Sequence, residues 1–199
     1  VVAVKIQIIL GSTRQGRVIE PVGKWVSNAL NKLEVEVETV DLADFDLPMF
    51  DEPISPRYNP NRIIDPKVKP FLDKLAEADG YVFITPEYNH SIPAVLKNAF
   101  DYITFELQKK PAAIVSYGTV GGARAAEHLK AILIEAKAAV VPEATALLNP
   151  TAILDEKGML DEESLANPWG PQAALTTTVT ELVWWTSTLK VGRKELVSA

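Results

Sequence analysis

The chain has 199 residues, 47% of them hydrophobic, which is enough for a single domain whose core is covered on both sides. A net charge of −6 argues against a nucleic-acid partner, no apolar run is long enough for a membrane span, and the lack of cysteine removes disulfide frameworks, thiol catalysis and Cys-ligated zinc. The first residue is Val1 and the chain opens on a strand-like run instead of a charged and then apolar leader, so it reads as a cytoplasmic protein with a processed or trimmed start.

Residues 3–10 read as a buried strand, and 18–33 carry Val18, Val22, Val26, Ala29, Leu30 and Leu33 at helical spacing. Val35, Val37 and Thr39 alternate with Glu34, Glu36 and Glu38, the pattern of a strand with one solvated face at a sheet edge. The Pro-rich, acidic stretch from Asp44 to Pro66 is too long for an ordinary connection and reads as a lid or a partner contact. A helix over about 67–78, a strand at Tyr81–Thr85, a helix over 93–107 opened by Pro93 and a strand at Ala112–Tyr117 follow. Residues 122–138 read as helix, 139–148 as the region of a fifth strand, 150–170 as an irregular tail and 171–191 as a last helix. This alternation predicts an α/β fold: an open parallel five-stranded sheet, order 2-1-3-4-5, with helices on both faces. The loops after strands one, three and four then meet at one carboxyl edge, at the topological switch.

Those three loops carry the chemistry. The first, Gly11-Ser12-Thr13-Arg14-Gln15-Gly16-Arg17, passes through Val18 into a helix, where main-chain N–H groups, hydroxyls and the helix dipole favour an anion. Neither G-x-G-x-x-G nor G-x-x-x-x-G-K-[ST] fits, and two arginines suit a doubly charged phosphate monoester. In the second, running from Thr85 to Pro93, Pro86 and Pro93 stiffen the backbone, so that Glu87, Tyr88 and Asn89 present amide and carbonyl groups to a flat heteroaromatic ring. The third, Ser116-Tyr117-Gly118-Thr119-Val120-Gly121-Gly122, offers three glycines for close approach and a tyrosine for the ring's edge or face.

These motifs resemble those of the NAD(P)H-dependent FMN reductases of the flavodoxin-like fold, a family that includes quinone, azo-dye and chromate reductases. The resemblance spans roughly residues 4–145. It rests on Gly11-Ser12-Thr13-Arg14, on Pro86-Glu87-Tyr88-Asn89 with Pro93-Ala94-Val95-Leu96-Lys97-Asn98-Ala99-Phe100-Asp101, and on Ser116-Tyr117-Gly118 with Gly121-Gly122. It implies FMN as cofactor, with Gly11, Ser12, Thr13, Arg14, Gly16, Arg17 and Val18 around the phosphate. Pro86, Glu87, Tyr88 and Asn89 would bind the isoalloxazine, and Ser116, Tyr117, Gly118, Gly121 and Gly122 would close the opposite side. It also implies NADH or NADPH as co-substrate and a two-electron ping-pong transfer of hydride to a quinone, azo, metal-oxyanion or flavin acceptor. No catalytic side chain and no metal enter that scheme. A homodimer or homotetramer is implied, in which Phe50, Tyr58 and Arg62 of the long segment cover a neighbouring site. Arg17 departs from the pattern, since many relatives carry a small hydroxyl residue there; an arginine either strengthens the grip or points to solvent.

Other readings of the same residues are weaker. His90 invites a role as proton donor, but a loop histidine ordinarily bonds locally or faces water, and His128, inside a helix, suits a structural or subunit contact. Glu87 suits loop architecture better than general-base work, and Trp184-Trp185 with Leu175, Val179, Leu182, Val183 and Leu189 suits core packing. A hydrolase lacks its G-x-S-x-G, and neither histidine is placed for a triad. An electron carrier of the flavodoxin type, without nicotinamide chemistry, is the alternative. Carriers surround the ring with acids, whereas loops two and three hold one, Glu87.

Overall fold

A computed structural model describes residues 3–196. Five parallel strands form one sheet in the order β2-β1-β3-β4-β5. The inner strands β1 (Lys5–Leu10), β3 (Gly80–Pro86) and β4 (Pro111–Gly118) are buried along almost their whole length, as continuous Val/Ile/Phe/Ala runs must be when both sheet faces are covered. The edge strands β2 (Glu36–Asp41) and β5 (Ala139–Leu148) carry the more exposed positions.

Side chains alternate across the sheet and split the core in two. Ile8, Val82 and Val115 pack on one face against Val22, Trp25 and Val26 of α1 (Ile19–Leu30) and Leu175, Val179 and Leu182 of α7 (Pro171–Leu196). Ile9, Phe83 and Ile114 face the opposite way, onto α2 (Lys69–Ala76), α3 (Ala94–Tyr102) and α4 (Ala123–Glu135). Among the described residues no helix is long and apolar enough to cross a membrane.

Four details differ from the sequence expectations. Helix α3 stops at Tyr102, five residues short of 107, because the chain turns extended at Ile103 and the carbonyls of Tyr102 and Thr104 are taken by Arg62 and Arg57. The tail contains two short helices, α5 (Pro150–Ile153) and α6 (Glu162–Ala166). Trp184 is 60% exposed and meets Trp185 edge-on, so only the latter packs against the core. The glutamates of β2 are not a purely solvated row, since Glu38 accepts hydrogen bonds from Gln7 and Lys74 and pairs with Lys5.

The 44–66 segment is a strap tied to its own chain. Asn98 of α3 donates its side-chain amide to the Pro48 carbonyl (2.7 Å) and accepts the Phe50 N–H (2.8 Å), and the Tyr102 hydroxyl also donates to Pro48. Phe50 packs edge-on against Tyr102 and Arg62 pairs with Glu52. Of the three residues expected to reach a neighbour, only Tyr58 projects outward, 74% exposed.

Candidate active site

Strand register brings the three loops to one level. Leu10 lies opposite Ile84, Thr85 opposite Ser116 and Pro86 opposite Tyr117. The Gly11 N–H donates to the Ile84 carbonyl (3.0 Å) and the Glu87 N–H to the Tyr117 carbonyl (3.2 Å), so each loop leaves the sheet tied to its neighbour. Gly11 is required by this packing: a Cβ there would stand 2.7 Å from the Ile84 oxygen and 2.8 Å from a Leu96 methyl.

In loop one the main-chain N–H groups of Thr13, Gln15, Gly16 and Val18 have no acceptor among the described residues, and the loop runs into the positive end of α1 at Val18. Arg14 is exposed, has no carboxylate partner among the described residues, and holds its guanidinium carbon 5.4 Å from the centre of the Tyr88 ring. Ser12 is fully buried; its hydroxyl shares a 2.9 Å hydrogen bond with the Tyr88 hydroxyl, joining loops one and two directly. Arg17 does not point to solvent. Its guanidinium grips the Asp41 carboxylate, reaches Glu20 and donates to the Ser12 carbonyl, bracing the loop against the end of β2.

Loop two closes on itself. Tyr88 and Ser91 exchange main-chain hydrogen bonds at 2.9 and 3.0 Å, and the two residues between them, Asn89 (φ 48°) and His90 (φ 67°), are both left-handed, the geometry of a type I′ turn. Asn accepts that conformation readily; His does so under strain. The turn lifts Asn89 and His90 into solvent. Two contacts from α4 steady it: His128 Nδ1 meets the Ser91 hydroxyl at 3.0 Å, and the Glu87 carboxylate accepts the Arg124 main-chain N–H and side chain. The Arg124 hydrogen bonds hold the Glu87 carboxyl below its ordinary range, so it is a poor proton acceptor and a fixed strut.

Loop three is braced from within. The Ser116 hydroxyl donates to the Gly121 carbonyl (2.7 Å), and Gly122, at φ 72°, leads into α4 where a Cβ would stand 2.8 Å from the Tyr117 nitrogen. The Tyr117 ring is buried in the α1/α7 core and forms no wall of the cleft. Burial raises its phenol above the ordinary value.

Arg14, Glu87, Tyr88 and Asn89 line one open cleft of about 410 Å³. A second cavity of about 400 Å³ lies beyond Thr13, walled by the strap residues Phe45, Leu47 and Met49 and by Val95 and Asn98 of α3. Asp41 and Arg124 escape a reading of the sequence, because each acts through a partner brought near only by the fold. The signals present were weak: an acid at the end of strand two and an arginine just after a glycine pair.

Residues 4–151 match the family model described as NADPH-dependent FMN reductase. The chain belongs to that family. It is 40% identical over 148 residues to an NAD(P)H-dependent FMN reductase of Schizosaccharomyces pombe, covering 73% of this chain and 74% of the relative. It is 33% identical over 141 residues to a quinone reductase of Escherichia coli strain K12, covering 65% and 70%. The flavoenzyme FerB, an NAD(P)H:(acceptor) oxidoreductase of Paracoccus denitrificans, shares the fold with a TM-score of 0.71 over 93% of this chain and 98% of that one, at 21% identity. The chain is therefore an oxidoreductase of the FMN reductase type, with FMN and a reduced nicotinamide as its redox partners. In this FMN reductase the five strands and the three loops all fall inside the matched span, and α6 and α7 lie beyond it.

Proposed function

We propose that this FMN reductase holds FMN across its three loops and carries two electrons from NADH or NADPH to a small-molecule acceptor in a ping-pong cycle. The carrying observation is that, among the described residues, four loop-one amides have no acceptor and the neighbouring Arg14 has no counter-ion, in a protein of net charge −6. Four main-chain N–H groups in a loop that runs into a helix, with one guanidinium lacking a carboxylate partner among the described residues, fit a doubly charged phosphate. FMN, when bound, supplies the hydride chemistry, taking a pair of electrons from the nicotinamide and delivering them to a quinone, azo compound, metal oxyanion or free flavin.

The protein's residues bind and orient. Thr13, Arg14, Gly16 and Val18 would hold the phosphate, with Ser12 and its Tyr88 partner at the base of the cradle; Gly11 and Arg17 would act by shaping it. Pro86, Glu87, Tyr88 and Asn89 would lie along one side of the isoalloxazine and Ser116, Gly118, Gly121 and Gly122 along the other, with Tyr117 supplying only its hydroxyl. A homodimer or homotetramer would place the outward Tyr58 of one strap over a neighbouring site. Against the electron-carrier reading, the one acid of loops two and three is already paired with Arg124.

The test is an absorbance titration of purified protein with FMN, then NADH or NADPH, then a quinone. Bleaching by the nicotinamide followed by recovery on quinone addition is the expected result. FMN uptake without bleaching marks a carrier, and no uptake overturns the proposal.

A further inference from the structure

Glu87 and Arg124 stand out because they join the two loops between which the proposed function places the flavin ring, and neither contact is needed to build the sheet. The Glu87 side chain is only 7% exposed. It accepts the Arg124 main-chain N–H at 3.1 Å and the Arg124 Nε at 2.7 Å, and forms an ion pair with the terminal nitrogen. Arg124 is the second residue of α4, and the residue that would normally cap this helix, Gly122, has no side chain to do so. Glu87 therefore caps α4 from another loop, while its own N–H is bonded to the Tyr117 carbonyl of loop three. Main chain and side chain together fix the separation of loops two and three at this point. Glu87 also borders the open cleft shared by Arg14, Tyr88 and Asn89.

We propose that Glu87 and Arg124 form a charge-balanced clamp: Arg124 is a positioning residue that holds loop two against α4, and the pair presents no net charge to the flavin ring. This rests on the FMN reading given above. A lone carboxylate beside the ring would disfavour added negative charge on reduction, and a lone guanidinium at the positive end of α4 would favour it. Together they cancel, which leaves Arg14 as the unbalanced charge of the cleft.

The two halves are therefore separable by sign. Arg124→Gln leaves the Glu87 charge uncovered and lowers the midpoint potential of bound FMN; Glu87→Gln leaves the Arg124 charge uncovered and raises it. Arg124→Lys, which keeps the cation, stays nearer the wild type than Arg124→Gln. Potentials are read by dye-coupled spectroelectrochemistry on the holoenzymes. Shifts of the same sign in the two glutamine variants, or no shift in either, would overturn the charge balance. The clamp itself is read without cofactor, by thermal unfolding of the wild-type apoprotein, both single variants and the double variant. Losses that are less than additive in the double variant support it, and strictly additive losses overturn it. If wild-type protein takes up no FMN, the functional reading falls while the unfolding cycle still decides the clamp.

Discussion

The guanidinium of Arg17 is locked onto the carboxylate of Asp41, the last residue of β2, and the same group holds the Ser12 carbonyl. The side chains are only 11% and 18% exposed, so the pair is largely shielded from solvent. Breaking it from one side would strand the Asp41 charge. A fully buried pair broken in this way costs about 3–5 kcal/mol, and partial exposure brings the expected cost for Arg17→Ala to about 1–3 kcal/mol. Urea unfolding of the apoprotein reads this directly. Unchanged stability would mean that Arg17 is not a brace and is free to meet the anion.

Arg14→Ala has the opposite profile. Arg14 is exposed with no ion-pair partner among the described residues, so the apoprotein keeps its stability. Loss of one charge-assisted hydrogen bond to phosphate, about 1.5–3 kcal/mol, weakens FMN binding by roughly ten- to a hundredfold. Riboflavin, which lacks the phosphate, should bind nearly as before. Fluorescence titration with both ligands makes the comparison, and equal losses would remove Arg14 from the phosphate site.

Periodicity carried most of the fold. The isoleucines of β1, the Val/Glu alternation of β2 and the spacing of Val22, Val26 and Leu30 each follow from which faces are buried, and strand order followed from the β-unit count and crossover rules. The loops were legible as a site because Gly, Pro and polar residues stand directly after buried strands. Partner identity was not legible. Arg14 and Arg17 look alike in the sequence, and only the proximity of Asp41 and Glu20 turns the second into a strut. Tyr117 likewise looks like a loop aromatic until the strand alternation turns its ring into the core.

Glu38 makes an acid-stability prediction. Burial alone would raise its carboxyl, but hydrogen bonds from Gln7, Lys5 and Lys74 outweigh that and bring it from 4.5 down to about 2. The folded value lies below the unfolded one, so the stabilisation is complete above the unfolded value and is lost as pH falls from 4.5 towards 2. With the side chain 30% exposed, solvent screening limits the contribution to about 1–2 kcal/mol. Urea midpoints of wild type and Glu38→Gln should therefore converge as the pH falls from about 5 to about 2. Parallel curves would show that the network around Lys5 contributes nothing to folding.

His90 occupies the second central position of the I′ turn, where glycine is favoured, and holds φ at 67°. Its side chain is exposed and makes no hydrogen bond among the described residues, whereas the main-chain bonds of the turn belong to Tyr88 and Ser91. His90→Gly should relieve the left-handed strain at the cost of a more flexible unfolded chain, for a net gain of about 0.5–1 kcal/mol. A denaturant midpoint that rises without a change in slope would register this. The same variant decides the role of the imidazole, because a proton donor to the bound ring would impose its titration on the pH profile of quinone reduction. With His90 acting only as a turn residue, the profile of His90→Gly overlays that of the wild type. Loss of an alkaline limb from the profile would instead make His90 part of the reaction, and would explain why a strained residue is held at the tip of loop two.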